Sequence, residues 1–315
     1  MLSLDGADHA RHREPFAHPF RPARVRDLFA AFIEVAADRL ISAFQADGVA
    51  DLRRQFAGPL AVGVMAEALG LRDIDAEKVL SWYAAIVAAV SKVSAGQPVT
   101  VGGARAFGQL RDALLQTVGC PDGSSLLSEA ARTRETLGRE EVVSNAAVLL
   151  FGGIDTTEGM IVNAIRHMLS DPETLDLIRS SADLLHSAIE ESTRLEPAAA
   201  VVDRYATCDI ALGGAQIRTG DLVTVSLAGA NRDPAVFSDP DRFDIRRENA
   251  RLNLAFAQGP HFCLGAHLAR TETAIAIRRL ADRLPGLRLD PDHPNVPQGL
   301  VFRKPLALHV RWTLR

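Results

Sequence analysis

The stretch FAQGPHFCLG, residues 256–265, places one cysteine between a loop and the start of a predicted helix. Gly259 and Pro260 break regular structure before the cysteine, and an alanine-rich helical pattern follows it from about Leu264. A helix N-terminus presents free N–H groups that favour negative charge, so a thiol placed there is expected to have a lowered pKa. The segment therefore predicts that Cys263 is held ready as a thiolate.

Three interpretations of Cys263 remain open from these residues alone. A lone cysteine is most often buried and inert. A cysteine at a helix start can also be a nucleophile, here with His261 or His267 as its base. The third interpretation is a ligand to a haem iron, because a thiolate is a strongly electron-donating axial ligand. Gly259 and Gly265 would then let a flat cofactor approach the backbone.

The whole segment resembles the haem-binding signature of the cytochrome P-450 family, Phe-x-x-Gly-x-His-x-Cys-x-Gly, at all of its fixed positions. The continuation AHLAR, residues 266–270, resembles bacterial members of that family. The resemblance implies haem b (iron protoporphyrin IX) as the cofactor and Cys263 as the axial ligand of its iron. It also implies that Phe256, His261 and Gly265 contact the haem.

A second motif, GGIDTT at residues 152–157, interrupts a proline-free apolar stretch that runs from about residue 140 to 170. Glycines inside a helix cost about 1 kcal/mol each relative to alanine, so a helix that keeps two of them needs a reason. Close approach of a planar ligand is one reason. The alternative is a strand that ends at Phe151, a Gly-Gly turn and a new helix capped by Asp155 or Thr156.

This motif resembles the oxygen-activating stretch of the distal helix in the same family, Ala/Gly-Gly-x-Asp/Glu-Thr-Thr/Ser. The resemblance places Gly153 against the haem. It implies that Asp155 and Thr156 form the catalytic acid–alcohol pair, which relays protons during oxygen activation.

Glu191 and Arg194 stand three residues apart on a predicted helix, where side chains meet on one face. Taken alone, this is an ordinary surface ion pair of little energetic value. The sequence ESTRLEP, residues 191–197, resembles the family's Glu-x-x-Arg helix, however, and DPDRF, residues 239–243, resembles the segment that supplies a second arginine. The resemblance therefore implies a buried structural cluster of Glu191, Arg194 and Arg242 that holds the cysteine loop in place.

Haem propionates are anionic and need hydrogen-bond donors. The resemblance assigns this role to His9 and Arg13 near the N-terminus, to Arg204 in the first strand region and to His261 in the cysteine loop. As isolated residues, all four would be solvated surface groups.

Composition narrows the class of protein. The 315 residues include 35 Lys and Arg against 39 Asp and Glu, a formal net charge of −4, which disfavours a general nucleic-acid binder. Three widely separated cysteines without a CxxC pair disfavour a zinc ribbon or a disulfide scaffold and indicate a reducing compartment. The N-terminal residues contain no apolar run typical of a signal peptide or membrane anchor, so a cytoplasmic location is expected.

The predicted elements divide into a helix-rich part, residues 1–196, and a part of short strands, loops and the cysteine-ligand helix, residues 197–315. Because no repeat or flexible linker separates them, we predict one domain over residues 1–315, mainly α with a small β portion. The resemblance implies a cytochrome P-450-like fold that is shortened at the N-terminus, since family members have a longer segment before the helix of His9 and Arg13.

The function implied by the resemblance is that of a haem-thiolate monooxygenase, which activates O2 and hydroxylates or epoxidises a small apolar metabolite in secondary metabolism. Its electrons would come from a ferredoxin- or flavodoxin-type donor with an NAD(P)H reductase. The residues expected to face the substrate are apolar: Leu149, Leu150, residues 198–202, Val301 and Phe302.

Two alternative functions remain open. The first is a shortened, non-oxygenating haem-binding or partner-recruiting protein. The second is a cysteine hydrolase or transferase that uses Cys263 with a histidine, although no oxyanion-hole pattern accompanies it.

Overall fold

The computed structural model describes residues 1–72, 74–119, 125–132 and 137–314, and Cys120 lies outside these ranges. Within them the helices are α1 (Gly6–Ala17), α2 (Pro22–Phe44), α3 (Gly58–Leu69), α4 (Ala76–Ser94), α5 (Val101–Gly119), α6 (Leu126–Arg132), α7 (Arg139–Leu169), α8 (Pro172–Ser180), α9 (Ala182–Leu195), α10 (Leu227–Ala230) and α11 (Ala266–Arg283). The strands are β1 (Val49–Asp51), β2 (Val201–Tyr205), β3 (Ile210–Leu212), β4 (Ala215–Ile217), β5 (Leu222–Ser226), β6 (Arg288–Leu289) and β7 (His309–Arg311).

Helix α7 is the central element of the helical part. It is 31 residues long and continues without a break through Gly152 and Gly153, so the alternative of a strand and turn at this point is wrong. Helices α3, α5, α9 and α11 pack against it. At its start the N–H of Gly138 donates to Glu141 Oε2 at 2.8 Å, which satisfies one of the free donors of the first turn.

By length and composition, α7 is also the one helix in the described ranges that could cross a membrane. In the most apolar 18-residue stretch of α7, 56% is buried inside the protein, as in the core helix of a globular domain. Its apolar character therefore has a sufficient explanation in core packing.

The β portion consists of three small antiparallel sheets. Strand β7 lies between β1 and β6, with Ala50 opposite Val310, so the C-terminal strand is joined to a strand within the helical part. Strands β2 and β5 pair from Val201 opposite Ser226 to Tyr205 opposite Leu222, and β3 and β4 form a hairpin. Strands β2 to β5 lie in the part of the chain where short strands were predicted, but β1 was missed because it is only three residues long and follows a glycine turn.

A buried carboxylate near the end of α9 organises the long loop that follows β5. Glu191 is fully buried, and its carboxylate oxygens accept from Arg194 Nε at 2.7 Å and from Arg247 Nε at 2.9 Å. Arg194 is also fully buried and donates to the backbone carbonyls of Asn231 and Pro240, each at 2.8 Å. One ion cluster thus ties several turns of irregular backbone to a helix.

The second arginine of this cluster is Arg247, so the assignment of Arg242 is wrong. Arg242 is exposed and contributes only its backbone carbonyl, which accepts from Arg194 and Arg247 at 3.2 Å each. The chain turns between Asp244 and Arg247, where the N–H of Arg247 donates to the carbonyl of Asp244 at 3.0 Å. That turn carries the Arg247 side chain back to Glu191.

We predict that Arg194→Met lowers the free energy of unfolding by about 3–5 kcal/mol, because it leaves the Glu191 carboxylate buried beside one cation instead of two and the carbonyls of Asn231 and Pro240 without their donor. Urea unfolding followed by circular dichroism measures the change. Arg111→Met is the matched control, since Arg111 pairs with Glu140 at the exposed start of α7 and that pair is worth at most about 1 kcal/mol. Equal losses in the two variants would contradict a structural role for the buried cluster.

Candidate functional site

The cysteine loop, residues 256–265, is a closed turn in front of α11. The N–H of Cys263 donates to the carbonyl of Phe256 at 2.8 Å, and a 3-10 turn that begins at Gly259 reverses the chain between them. Gly259 has a φ of +75°, a conformation that favours glycine. Helix α11 begins at Ala266, slightly later than predicted, and the cysteine precedes the helix as expected.

A second glutamate on α9 fixes the loop from the other side. Glu190 is buried and accepts from Arg270 of α11 at 2.5 and 3.1 Å and from Asn253 at 3.3 Å. The Arg270 guanidinium lies over the Phe256 ring, 4.2 Å from its centroid, in a cation–π contact. Glu190 therefore positions the first residue of the loop through Arg270.

The thiol of Cys263 lies among donors but is not activated by them. The N–H groups of Gly265 and Ala266 hydrogen-bond to it, as expected in front of a helix. Burial nevertheless raises the pKa of Cys263, outweighing these N–H groups and the charges of Arg13 and Arg270. The expectation of a lowered pKa is therefore wrong for the thiol surrounded by protein alone.

A cavity of about 340 Å³ separates the cysteine loop from α7. Its volume falls within the range of small-molecule and cofactor pockets. Cys263 is accessible because it opens onto this cavity. The cavity wall contains these predicted site residues: His9, Arg13, Gly153, Thr156, Arg204, Phe256, His261, Cys263 and Gly265.

The four residues predicted to bind propionates, His9, Arg13, Arg204 and His261, all line the cavity. The rings of His9 and His261 stack with their centroids 4.0 Å apart, and His261 Nε2 lies 2.9 Å from Asp5 Oδ1. Arg13 Nη2 donates to the carbonyl of Phe262 at 2.5 Å, which joins α1 to the cysteine loop. His261 is therefore paired with Asp5 and does not serve as a base for Cys263.

Burial sets the charge state of this donor group. His9 is buried, and its Nε2 has no hydrogen-bond partner among the described residues. Burial, followed by the charges of His261 and Arg13, lowers the pKa of His9. Burial also lowers the pKa of Arg13. The exposed Arg204 is the remaining donor, and its Nη1 donates to the carbonyl of Asp203 at 2.8 Å.

The α7 wall of the cavity depends on its two glycines. A Cβ on Gly153 would collide with the Met65 side chain of α3, so glycine permits this close packing of α3 on α7. Gly152 faces open space within the cavity wall. Thr156 lines the cavity one turn later, and its Oγ1 donates to the carbonyl of Gly152 at 2.5 Å.

Asp155 does not face the cavity, although its neighbour Thr156 does. Its Oδ1 accepts from Lys304 Nζ at 2.6 Å, and the same ammonium lies 3.0 Å from Glu158 Oε1. The structure therefore separates the predicted acid from the predicted alcohol. Lys304 was missed in the sequence because a lone lysine in a C-terminal loop has no helical or strand periodicity to place it.

Four of the nine apolar residues expected around a substrate lie in the cavity wall, namely Leu149, Ala198, Ala199 and Val202. Leu150 is fully buried in the core instead and does not line the cavity. Val301 and Phe302 are about half exposed, and Phe302 pairs with Ala199 in an isolated β-bridge.

Glu272 of α11 is a cavity-lining acid that sequence reasoning missed. It is 2% exposed, and its Oε1 has no hydrogen-bond partner among the described residues. Burial raises its pKa to about 8. It follows Leu268 by one helical turn, so an acid on an apolar helical face was the signal that could have identified it.

We predict that Glu272→Gln changes the pH dependence of stability. Because the folded pKa of about 8 lies above the ordinary value of 4.5, the contribution of Glu272 is favourable below pH 4.5 and is lost as the pH rises to 8. The glutamine variant should therefore gain on the order of 2–4 kcal/mol relative to wild type between pH 5 and pH 8.

Urea unfolding at a series of pH values measures this difference. Glu248→Gln, at an exposed position, is the matched control and should follow the wild-type profile. Parallel profiles for wild type and Glu272→Gln would contradict the raised pKa.

Comparison with known proteins identifies the family and agrees with the fold. A family model for cytochrome P-450 matches residues 110–285. The chain is 37% identical to the cytochrome P-450 monooxygenase PikC of Streptomyces venezuelae, covering 99% of this chain and 76% of that protein. It is 34% identical to nocardicin C N-oxygenase of Nocardia uniformis subsp. tsuyamanensis, covering 99% and 79%.

Solved structures share the same architecture. P-450BioI, in complex with an acyl carrier protein ligated to hexadec-9Z-enoic acid, superposes with a TM-score of 0.89 at 30% identity, covering 99% of this chain and 81% of that one. CYP109E1 of Bacillus megaterium, in complex with testosterone, gives a TM-score of 0.90 at 26% identity, covering 99% and 86%. The predicted fold, mainly α with a small β portion, is confirmed. The chain therefore belongs to the cytochrome P-450 family of haem b-dependent oxidoreductases, which incorporate oxygen from O2 into their substrates.

Proposed function

We propose that this chain binds haem b through the thiolate of Cys263 and oxygenates a small apolar metabolite. The observation that carries the proposal is the position of the Cys263 thiol, which opens onto the cavity opposite Gly152, Gly153 and Thr156 of α7. The bound haem supplies the oxygen-activating redox chemistry, and the thiolate increases the electron density at its iron. The protein's own side chains must hold the haem, bind the substrate and handle protons.

The donor set fits an anionic planar cofactor. His9 Nε2 is a buried nitrogen without a partner at the cavity, and a propionate oxygen would satisfy it. Arg13, Arg204 and His261 offer further donors from three separate elements. Anionic propionates would also favour the protonated forms of His9 and Arg13, whose pKa values burial lowers.

The α7 wall fits the flat face of the same cofactor and the handling of protons above it. Gly152 and Gly153 leave that wall without side chains where the backbone approaches the cavity. The Thr156 hydroxyl lies at the cavity and can hold a hydrogen bond to a reacting oxygen atom. Asp155, on the adjacent position of the helix, is the acid that replaces the proton, after its carboxylate turns away from Lys304.

The substrate is an apolar metabolite of modest size. The cavity wall away from the donor set is formed by Met65, Val148, Leu149, Ala198 and Val202, which offer no charged anchor. The relatives act on or hold compounds of this general kind, such as vitamin D3 for a hydroxylase of Pseudonocardia autotrophica and testosterone in the CYP109E1 structure. A product of secondary metabolism suits this wall, as the name of nocardicin C N-oxygenase also suggests.

Electrons would come from a ferredoxin- or flavodoxin-type donor with its NAD(P)H reductase, in the bacterial cytoplasm. Phe262 is 39% exposed beside the cysteine, so the loop that holds the thiolate reaches the protein surface. A donor bound there would have the shortest route to the haem.

We predict that Cys263→Ala abolishes the far-red-shifted Soret band of the reduced carbon monoxide complex, because no other thiolate faces the cavity among the described residues. The absorption spectrum of the purified, haem-supplemented protein measures this. Cys208→Ala is the matched control, since Cys208 is an exposed cysteine away from the cavity, and it should keep the band. A persistent thiolate-type band in Cys263→Ala would contradict the assignment of the ligand.

We predict that Thr156→Ala retains haem but lowers the product formed per electron consumed by roughly tenfold, because the hydroxyl no longer guides protons. The ratio of product to NAD(P)H, with hydrogen peroxide measured in parallel, gives the result. Thr156→Ser keeps the hydroxyl and should stay close to wild type. Unchanged coupling in Thr156→Ala would remove this residue from the proton path.

A further inference from the structure

We propose that Lys304 is a positioning residue for the proton step, acting with Glu158 as a two-acceptor switch. Lys304 holds the Asp155 carboxylate outside the cavity, and Glu158 allows the same ammonium to release Asp155 without losing all its partners. The inference rests on the proposed role of Asp155 as the proton-supplying acid. In addition to Asp155, Lys304 and Glu158 take part in the proton step: they hold the acid away from the cavity and allow its release.

Lys304 lies between two carboxylates of α7. Its Nζ is 2.6 Å from Asp155 Oδ1 and 3.0 Å from Glu158 Oε1, and it also donates to the Asp155 carbonyl at 3.3 Å. The side chain is 11% exposed, so solvent replaces little of this pairing. Asp155 and Glu158 are one helical turn apart and thus present their oxygens to the same ammonium.

Two further elements complete the surroundings of these acids. Arg53 Nε donates to Glu158 Oε1, and Arg53 Nη1 donates to the carbonyl of Leu306 at 2.7 Å. Tyr83 of α4 hydrogen-bonds to Asp155. Burial and the two carboxylates raise the pKa of Tyr83, so it remains a protonated donor to Asp155. The charged and titratable groups packed around Asp155 and Glu158 are therefore Lys304 and Tyr83 beside Asp155, and Lys304 and Arg53 beside Glu158.

This arrangement keeps the acid on the wrong side of the helix for its reaction. Thr156 lines the cavity, whereas Asp155 is directed to Lys304 and Tyr83 and is absent from the cavity wall. Successive residues of a helix point about 100° apart, so a side-chain rotation brings the Asp155 carboxylate towards Thr156. That rotation requires the contact with Lys304 to open first.

Glu158 determines how difficult this opening is. An ammonium group has three donors, and Lys304 retains Glu158 when Asp155 leaves. If Glu158 were neutral, release of Asp155 would leave a buried cation without a carboxylate, which is strongly unfavourable. Removing Lys304 and neutralising Glu158 should therefore have opposite effects on the proton step. A merely structural cluster would instead give losses in both variants.

The test is the rate of oxygen consumption by the haem-loaded protein without substrate, with photoreduced flavin as the electron source. In this reaction O2 takes up electrons from the flavin and an equal number of protons, giving hydrogen peroxide or water. Rates are compared in H2O and D2O, so that the solvent isotope effect reports how far proton delivery limits the rate. Asp155→Asn should slow consumption by roughly 100-fold and enlarge the isotope effect.

Lys304→Met should raise the rate several-fold and reduce the isotope effect, because Asp155 is free to turn. Glu158→Gln, which is nearly isosteric, should lower the rate roughly tenfold and enlarge the isotope effect. Lys304→Arg restores a cation and should return the rate towards wild type. Arg111→Met, which removes an exposed ion pair at the start of the same helix, should leave the rate unchanged.

Crystal structures of the haem-loaded Lys304→Met and Glu158→Gln variants give a readout that is independent of activity. The Asp155 carboxylate should turn towards Thr156 in the first and stay on Lys304 in the second. Lower rates in both variants, or an Asp155 that remains beside Tyr83 in Lys304→Met, would overturn the switch. A wild-type rate in Asp155→Asn would instead show that the proposed function assigns the wrong acid.

Discussion

Two adjacent glutamates on α9 are the constraint on which the site depends. Glu191 is fully buried with Arg194 and Arg247, and it fixes the long loop that leads to the cysteine. Glu190 binds Arg270 of α11, which lies over Phe256. Because a buried carboxylate without its cation is strongly unfavourable, the loop and the helix on either side of Cys263 have one favourable arrangement. The position of the thiol thus follows from ion pairs that contact no cofactor.

The opposite wall of the cavity is fixed by packing, without buried charge. Gly153 accepts the Met65 side chain of α3 where a Cβ would collide with it, so α3 and α7 approach closely. The Thr156 hydroxyl lies at the cavity and donates to the carbonyl of Gly152, while α7 remains a continuous helix. The cavity is therefore bounded by an electrostatically fixed loop and a sterically fixed helix. A substitution in the loop would alter the cavity by breaking buried ion pairs, whereas a substitution at Gly153 would alter it by a steric clash.

The sequence predicted the fold class and the long helix α7, and the motifs it singled out supply part of the cavity wall. The resemblance of GGIDTT to the family's distal helix favoured a continuous α7, and the resemblance of the cysteine loop to the haem-binding signature singled out Phe256 and Cys263. What it missed depends on contacts between distant segments. Arg247 reaches Glu191 only because of a turn at residues 244–247, and Lys304 reaches Asp155 across 149 residues of sequence. Neither contact has a local signal, since loop geometry decides both.

The pKa shifts around the cavity have one shared cause, which links cofactor binding to stability. Burial raises the pKa of Cys263 and of Glu272, and it lowers the pKa of His9 and of Arg13. Surrounded by protein alone, these groups are therefore biased towards their neutral forms. With haem bound as proposed, a metal cation beside the thiol and carboxylates beside His9 and Arg13 would oppose that bias through direct charge pairing. Binding of the cofactor at Cys263 and at His9 and Arg13 would then add to the free energy of folding, so an occupied site would stabilise the folded chain by mass action.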